Sequence, residues 1–419
     1  MIRTFGLPLL ILIGIFLISP VPVRAITLSQ EAEISLLTAS PGNELYSVFG
    51  HSAMRVMDPQ NNLDIVFNYG TFDFDTPNFY IKFARGQLLY KLSVTTMEYF
   101  MFEYEYDGRA VYEQILELTQ DEKQDVFDFM RVNSLPENAY YQYDFFYDNC
   151  ATRIRDLIHY ILEPEWFPFP GILPESLAEI RSMLDYEFEY EPSFETNRTL
   201  RDMLQPFLTG MPWSAFGIDL ALGLPADKIA TPWDFMYLPD EMLIAFALAH
   251  RTDGLPLVKE HRLILQRTTP IAEAGFFTPN RIFWLIFVIA LASFLKPGFS
   301  RLFDKAFFTA LGITGVVILF LWFLTDHLTT KSNMNILWAI PTHLYFIWVS
   351  NYKHTKATGT LYFRIVSVIS LFMLILWPFI PQGFNSAFFP IILTSFIKSL
   401  PYAFKIPFLS ERLTGQKRQ

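Results

Sequence analysis

One cysteine occurs in 419 residues, Cys150, within FFYDNCATRIRDLI (145–158). A single thiol serves equally well as a small buried hydrophobe or as a nucleophile, and its setting favours the second. Asp148 and Asn149 are capping residue types, which puts Cys150 in the first turn of a predicted helix. There the helix dipole favours the thiolate, and Arg153 and Arg155 add positive potential nearby in sequence. A thiol nucleophile needs a base, best a histidine on rigid structure. Seven histidines are present. His159 follows Cys150 by nine residues on the same helix, about 13 Å along the axis and out of reach. His250 and His261 fall in Arg-rich stretches that read as helix surface, His343 in an apolar run and His354 in a basic loop. His51 and His327 are left. His51 follows Gly50 in the β-rich SVFGHSAMRV (47–56), and VFNYG (66–70) places Asn68 on the next strand, where an amide can orient the far ring nitrogen. Sequence spacing suggests this triad and does not establish it.

The elements that must hold these residues form an α+β unit. LYSVFGHSAMRVMD (45–58) and DIVFNYGTFDF (64–74) alternate as an antiparallel pair around the turn DPQNN (58–62). Residues 86–118 carry further strand character. A helix follows over 119–135 with Thr119 as N-cap, and another starts near Cys150. From about 166 the chain is Pro-rich and aromatic, with helices expected at 196–209 and 240–267. Asp219, Asp227 and Asp234 in 217–240 lack a histidine or a dense carboxylate partner, so this segment reads as a packing loop. No metal or cofactor set is expected. Arg198 and Arg201 read as helix-surface ion pairs, with phosphate binding as the alternative.

Charge divides the chain. Residues 281–419 hold 13 Lys+Arg and 3 Asp+Glu, a net of +10, while the first 280 residues carry −20. The acidic, aromatic part would repel phosphates, which argues against nucleic acid as a partner. Arg3, the apolar run 5–19 and VPVRA (21–25) predict a signal peptide over 1–25, with an uncleaved anchor as the alternative. One cysteine also means no intramolecular disulfide. Five spans are expected, at 279–295, 306–325, 336–350, 360–380 and 384–404. The loops 296–305 and 351–359 and the tail 405–419 are basic, so they stay in the cytoplasm. Residues 26–278, 325–335 and 381–385 then lie outside. Arg364 and Lys398 read as snorkelling to headgroups. Asp326 and His327, at the outer end of the second span, form either a solvated loop or a polar cluster for a lipid headgroup.

VFGHSAMRV, FNYGTFDF, YDNCATRIRD, the 217–240 segment and TDHLTTKSNMNILWAIPTHL together resemble the Lnb family of bacterial envelope proteins. The resemblance implies an α+β periplasmic domain like a circularly permuted papain/NlpC-type cysteine fold, then an all-α five-helix transmembrane domain in the inner membrane. It implies lipoprotein N-acylation, with a phospholipid as acyl donor and a lipidated lipoprotein as acceptor. Cys150 would carry the acyl chain as a thioester, His51 would be the base and Asn68 would orient it. Asn149, Asp148, Arg153 and His327 are possible supporting residues. A membrane-anchored cysteine hydrolase of the cell envelope and a non-catalytic envelope scaffold are the alternatives. Five spans favour lipid handling over hydrolysis, because a peptidase needs a single anchor.

Overall fold

The computed structural model describes residues 26–72, 75–162, 197–349 and 356–404. The expected signal peptide, the Pro-rich stretch after 166, His354 and the C-terminal tail lie outside the described residues.

Seven strands build one antiparallel sheet: β1 (Glu33–Ala39), β2 (His51–Asp58), β3 (Leu63–Thr71), β4 (Leu89–Thr96), β5 (Val111–Leu116), β6 (Tyr140–Gln142) and β7 (Val258–Leu265). Their order is β6-β4-β3-β2-β1-β5-β7. The β2–β3 pair forms as the sequence expects. Asp58 caps a short 3-10 turn over Pro59–Asn61, and Asn62 takes the left-handed conformation that closes it. Among the described residues seven helices accompany the sheet, and four of them cover its two faces. The seven are α1 (Phe79–Ala84), α2 (Met97–Asp107), α3 (Gln120–Asn133), α4 (Cys150–Leu162), α5 (Pro212–Ala221), α6 (Pro232–Phe235) and α7 (Pro239–Leu248). On one face Ile34, Leu36, Met54 and Phe67 pack with Phe127, Met130, Ile154, Leu157 and Phe246 from α3, α4 and α7. On the other, Leu37, Ala53, Val66 and Val111 pack with Met97, Phe100 and Tyr104 of α2. Burying such side chains on both faces is the dominant favourable term for the sheet.

Three expectations are corrected. Residues 86–118 are not all strand: α2 interrupts them, because the Thr96 hydroxyl caps its first turn and Gly108, at φ 66°, ends it. Its aromatic composition had suggested a strand. The expected helix 240–267 stops at Leu248. The chain turns at Gly254 and returns as β7, paired with β5, so tertiary pairing overrides local propensity there. Within the helix expected at 196–209, the described residues form 3-10 turns at Asp202–Leu204 and Pro206–Leu208, with Pro206 opening the second.

The C-terminal half is helical: α8 (Pro279–Ser293), α9 (Pro297–Phe323), α10 (His343–Val349), α11 (Lys356–Leu376) and α12 (Phe388–Ala403). Two stretches, Pro297–Phe323 and Ala357–Phe379, are long and apolar enough to cross a membrane unaided. The third expected span, 336–350, is broken: a 3-10 turn at Met334–Leu337 precedes the seven-residue α10. Lys398 does not snorkel. It is fully buried, 2.8 Å from Asp304 Oδ1, and donates to the hydroxyls of Ser293 and Ser300.

The two halves are joined through polar contacts. Asn333 donates to the carbonyls of Leu220 and Ala221, Asn335 to that of Asp219, and Asn385 to the Asp219 carboxylate. The Gly383 N–H donates to Asp227. The 217–240 segment therefore packs against the two loops expected outside. Arg201 organises it: its guanidinium is buried against Asp219 and Asp227 and also donates to the carbonyls of Leu222 and Gly223. The helix-surface assignment for Arg201 is thereby corrected.

Candidate active site

The turn before α4 is built from side-chain caps. Asp144 Oδ1 accepts from the N–H groups of Phe146 and Tyr147, which tightens the chain ahead of the helix. Asn149 and Thr152 then cap reciprocally: Thr152 N–H donates to Asn149 Oδ1 at 2.9 Å, and Asn149 N–H donates to Thr152 Oγ1 at 2.7 Å. The Asn149 amide also donates to the carbonyls of Phe145 and Tyr237, both at 2.8 Å. Asn149 thus fixes the helix start to the body of the domain, and Cys150 is the first residue of α4.

Helix α4 crosses the sheet beside β2 and β3, which brings Cys150 to the start of β2 and the end of β3. His51 opens β2, opposite Ala39 of β1. Its Nε2–H donates to Asn68 Oδ1 of β3 at 2.6 Å, which leaves Nδ1 to meet the Cys150 thiol. Backbone N–H groups of Ser52 and Ala151 also reach the sulfur. Cys150, His51 and Asn68, separated by up to 99 positions in the chain, thus come together, with His51 facing the thiol on one side and bonded to Asn68 on the other.

Electrostatics couples Cys150 and His51. Burial alone would lower the His51 pKa, but the facing Cys150 and the Asn68 carbonyl oxygen outweigh it and raise it above 6.5. Burial would raise the Cys150 pKa, yet His51 and the two backbone N–H groups bring it below 9.0. Each partner stabilises the charged form of the other. The geometry therefore eases movement of the proton from sulfur to imidazole.

Two residues at the site escaped the sequence reading. Gly70 sits at an irregularity where the β3–β4 register shifts, with φ 91°. A Cβ there would stand 3.6 Å from Cys150 Cβ, 3.9 Å from His51 Cε1 and 4.0 Å from Tyr141 Oη. Glycine keeps that space open and tolerates a conformation other residues rarely adopt. An isolated glycine in a strand pattern signals such a bulge. Tyr141, only 7% exposed, directs a hydroxyl at the same space, and that oxygen has no hydrogen-bond partner among the described residues. Nothing in its Tyr-rich sequence context singles it out.

The remaining expected residues have other surroundings. Arg153 and Asp148 form a two-pronged ion pair at 2.6 and 2.8 Å, and the Arg153 guanidinium lies 3.7 Å from the centre of the Tyr141 ring. They brace Tyr141 and do not touch the sulfur. His327 stands apart from Cys150, His51 and Asn68, packed on Gly86 with Nε2 3.2 Å from the Phe83 carbonyl oxygen. His159 packs edge-to-face on Trp233. His261 lies on β7, not on a helix. Among the described residues no His/Cys/Asp/Glu group is arranged to hold a metal. Asp219 and Asp227 are bonded to Arg201, and Asp234 caps α6 with Thr231.

Two family comparisons match this architecture. Residues 23–169, which contain the whole Cys150–His51–Asn68 row, match the Lnb N-terminal periplasmic domain. Residues 271–406 match the Lnb transmembrane domain. No curated protein and no solved structure matches the chain. With both halves matched in order, the chain belongs to the Lnb family, a membrane protein with a periplasmic N-terminal domain and a general role in lipoprotein N-acylation.

Proposed function

We propose that the protein is a cysteine-dependent lipoprotein N-acyltransferase of the bacterial inner membrane, with a permuted papain-like catalytic domain above five membrane passages. What supports the proposal is the placing of Cys150 against His51, whose Nε2–H is bonded to Asn68 Oδ1, an arrangement that favours the charged form of each partner. His51 Nδ1 takes the Cys150 proton. The thiolate attacks the ester carbonyl of a phospholipid, forming a C–S bond and an oxyanion. The Cys150 N–H, free of an intrahelical acceptor as a first-turn group, and the Tyr141 hydroxyl stabilise that oxyanion. The C–O bond breaks, His51 returns its proton to the departing lysophospholipid oxygen, and a thioester is left on Cys150.

The α-amine of a diacylglyceryl-cysteine lipoprotein then attacks the thioester. His51 accepts the amine proton as the C–N bond forms and the C–S bond breaks, and the proton passes to the released thiolate. The acyl chain is now an amide on the lipoprotein. The polar clamp between the 217–240 segment and loops 325–335 and 381–385 supports this reading, because it seats the catalytic domain on a membrane base where both substrates are embedded.

Mass spectrometry of lipoprotein N-termini provides the test. A strain lacking the gene should carry free α-amines, N-acylation should return with the wild-type gene, and Cys150→Ala should not restore it at equal protein level. N-acylation persisting in the deletion strain, with no redundant enzyme present, would defeat the transferase reading.

A further inference from the structure

The two halves also meet at α1. The Asp326 N–H donates to the Arg85 carbonyl at 2.8 Å, the Gln87 amide donates to Asp326 Oδ2 at 2.9 Å, and His327 holds the Phe83 carbonyl. These bonds fix α1 beside the end of α9, at the outer surface of the membrane half. An open cleft of about 410 Å³ lies there, lined by Arg85, Phe320, Phe323, Leu324, Thr325 and Asp326. Its walls are of two kinds. Phe320, Phe323 and Leu324 present the apolar surface that lipid tails prefer, whereas Arg85 and Asp326 bring one cation and one anion to the same cleft. Among the described residues these two charges form no ion pair with each other, and the Arg85 side chain has no protein partner.

We propose that this cleft binds the headgroup of a zwitterionic aminophospholipid from the outer leaflet. Arg85 takes the phosphate, Asp326 takes the ammonium, and the apolar wall takes the acyl chains. An anionic headgroup without an ammonium would meet the Asp326 carboxylate with no compensation. Helix α1 itself exposes Tyr80 (81%), Ile81 (60%) and Phe83 (54%) beside this cleft. Large apolar and aromatic side chains at that level belong in the membrane interface. From Phe83 a run of ring contacts leads inward: Phe79 at 6.4 Å, then Phe72, Tyr90 and, stacked on Tyr90 at 4.2 Å, Tyr143. Tyr143 lies close enough to Cys150 to be influenced by its charge. Resting on the acyl-transfer reading, that apolar wall leads the ester of a lipid held at the cleft toward the thiol.

The test uses the full-length protein in detergent, with retained lipid read by native mass spectrometry. Dioleoyl phosphatidylethanolamine should be retained about tenfold over dioleoyl phosphatidylglycerol, the discrimination expected of one charge-assisted contact. Arg85→Gln should lose the phosphatidylethanolamine by a similar factor, Arg85→Lys should recover part of it, and Asp326→Asn should bring the two lipids toward parity. Unchanged Cys150 alkylation in each variant checks the fold. Equal retention of both lipids by the wild type, retention unmoved by Arg85→Gln, or selectivity unmoved by Asp326→Asn would overturn the cleft. The two proposals fail separately. Selective retention without transfer to a diacylated lipopeptide removes the transferase alone, and transfer without headgroup selection removes the cleft alone.

Discussion

The buried clusters around Arg201 and Cys150 resolve the same electrostatic problem in opposite ways. At Arg201 the guanidinium faces two carboxylates and three carbonyl oxygens, so each charge is met by a fixed opposite charge or dipole. At Cys150 neither partner carries a permanent charge, and the pair becomes ionic only when a proton moves from sulfur to imidazole. The Arg201 cluster is closed, with its donors satisfied. The Cys150 cluster keeps a glycine where a side chain would fill space and a tyrosine hydroxyl with no partner among the described residues. Saturation is what a structural joint needs, since a buried unpaired charge is costly. Incomplete satisfaction is what a reacting group needs, because the missing partner is the substrate.

Substitutions at the two clusters should therefore separate activity from stability. The largest effect is expected for His51→Ala. Losing the base should cost about 10²–10⁴-fold in acyl transfer, and alkylation of Cys150 at neutral pH should slow, because burial then raises the thiol pKa against the two backbone N–H groups alone. Thermal unfolding should move little. Arg201→Met should show the reverse. It strands Asp219 and Asp227 without their cation, which should cost about 3–5 kcal/mol in stability, read as a lowered unfolding temperature with normal Cys150 alkylation in the protein that remains folded. If Arg201→Met left stability intact while abolishing alkylation, the contrast between the clusters would collapse.

A smaller and more specific change is expected for Asn68→Ala. Removing one hydrogen bond of about 1 kcal/mol should slow transfer by up to about tenfold and change the pH profile. The thiolate appears as pH rises through the Cys150 pKa, and the imidazolium is lost as pH rises through the His51 pKa. Asn68 helps hold the His51 value up. Its loss should shift the alkaline limb to lower pH, and an unmoved alkaline limb would show that Asn68 does not tune the base.

These contrasts also explain what could be read from sequence. Cys150, His51 and Asn68 were legible because each sits at a local signal: a capped helix start, a strand opening after glycine, the facing strand. The β2–β3 hairpin and the start of α3 were legible for the same reason, since Pro59, Asn62 and the Thr119–Glu122 capping box act within a few residues. Arg201, Lys398 and Tyr141 were not. Their partners lie 18 or more positions away or, for Tyr141, are absent, so nothing local distinguishes a buried ion pair from a surface one. The failed helix at 258–265 has the same origin, because its strand conformation is set by pairing with β5, more than a hundred residues earlier.

The most direct test of the central claim is intact-protein mass spectrometry of the purified enzyme mixed with phosphatidylethanolamine in the absence of acceptor. One added acyl mass is expected, located on the peptide containing Cys150, labile to hydroxylamine and discharged by a diacylated lipopeptide. Acyl transfer to that lipopeptide by the Cys150→Ala protein, with no acyl adduct ever found on Cys150 of the wild type, would contradict that claim.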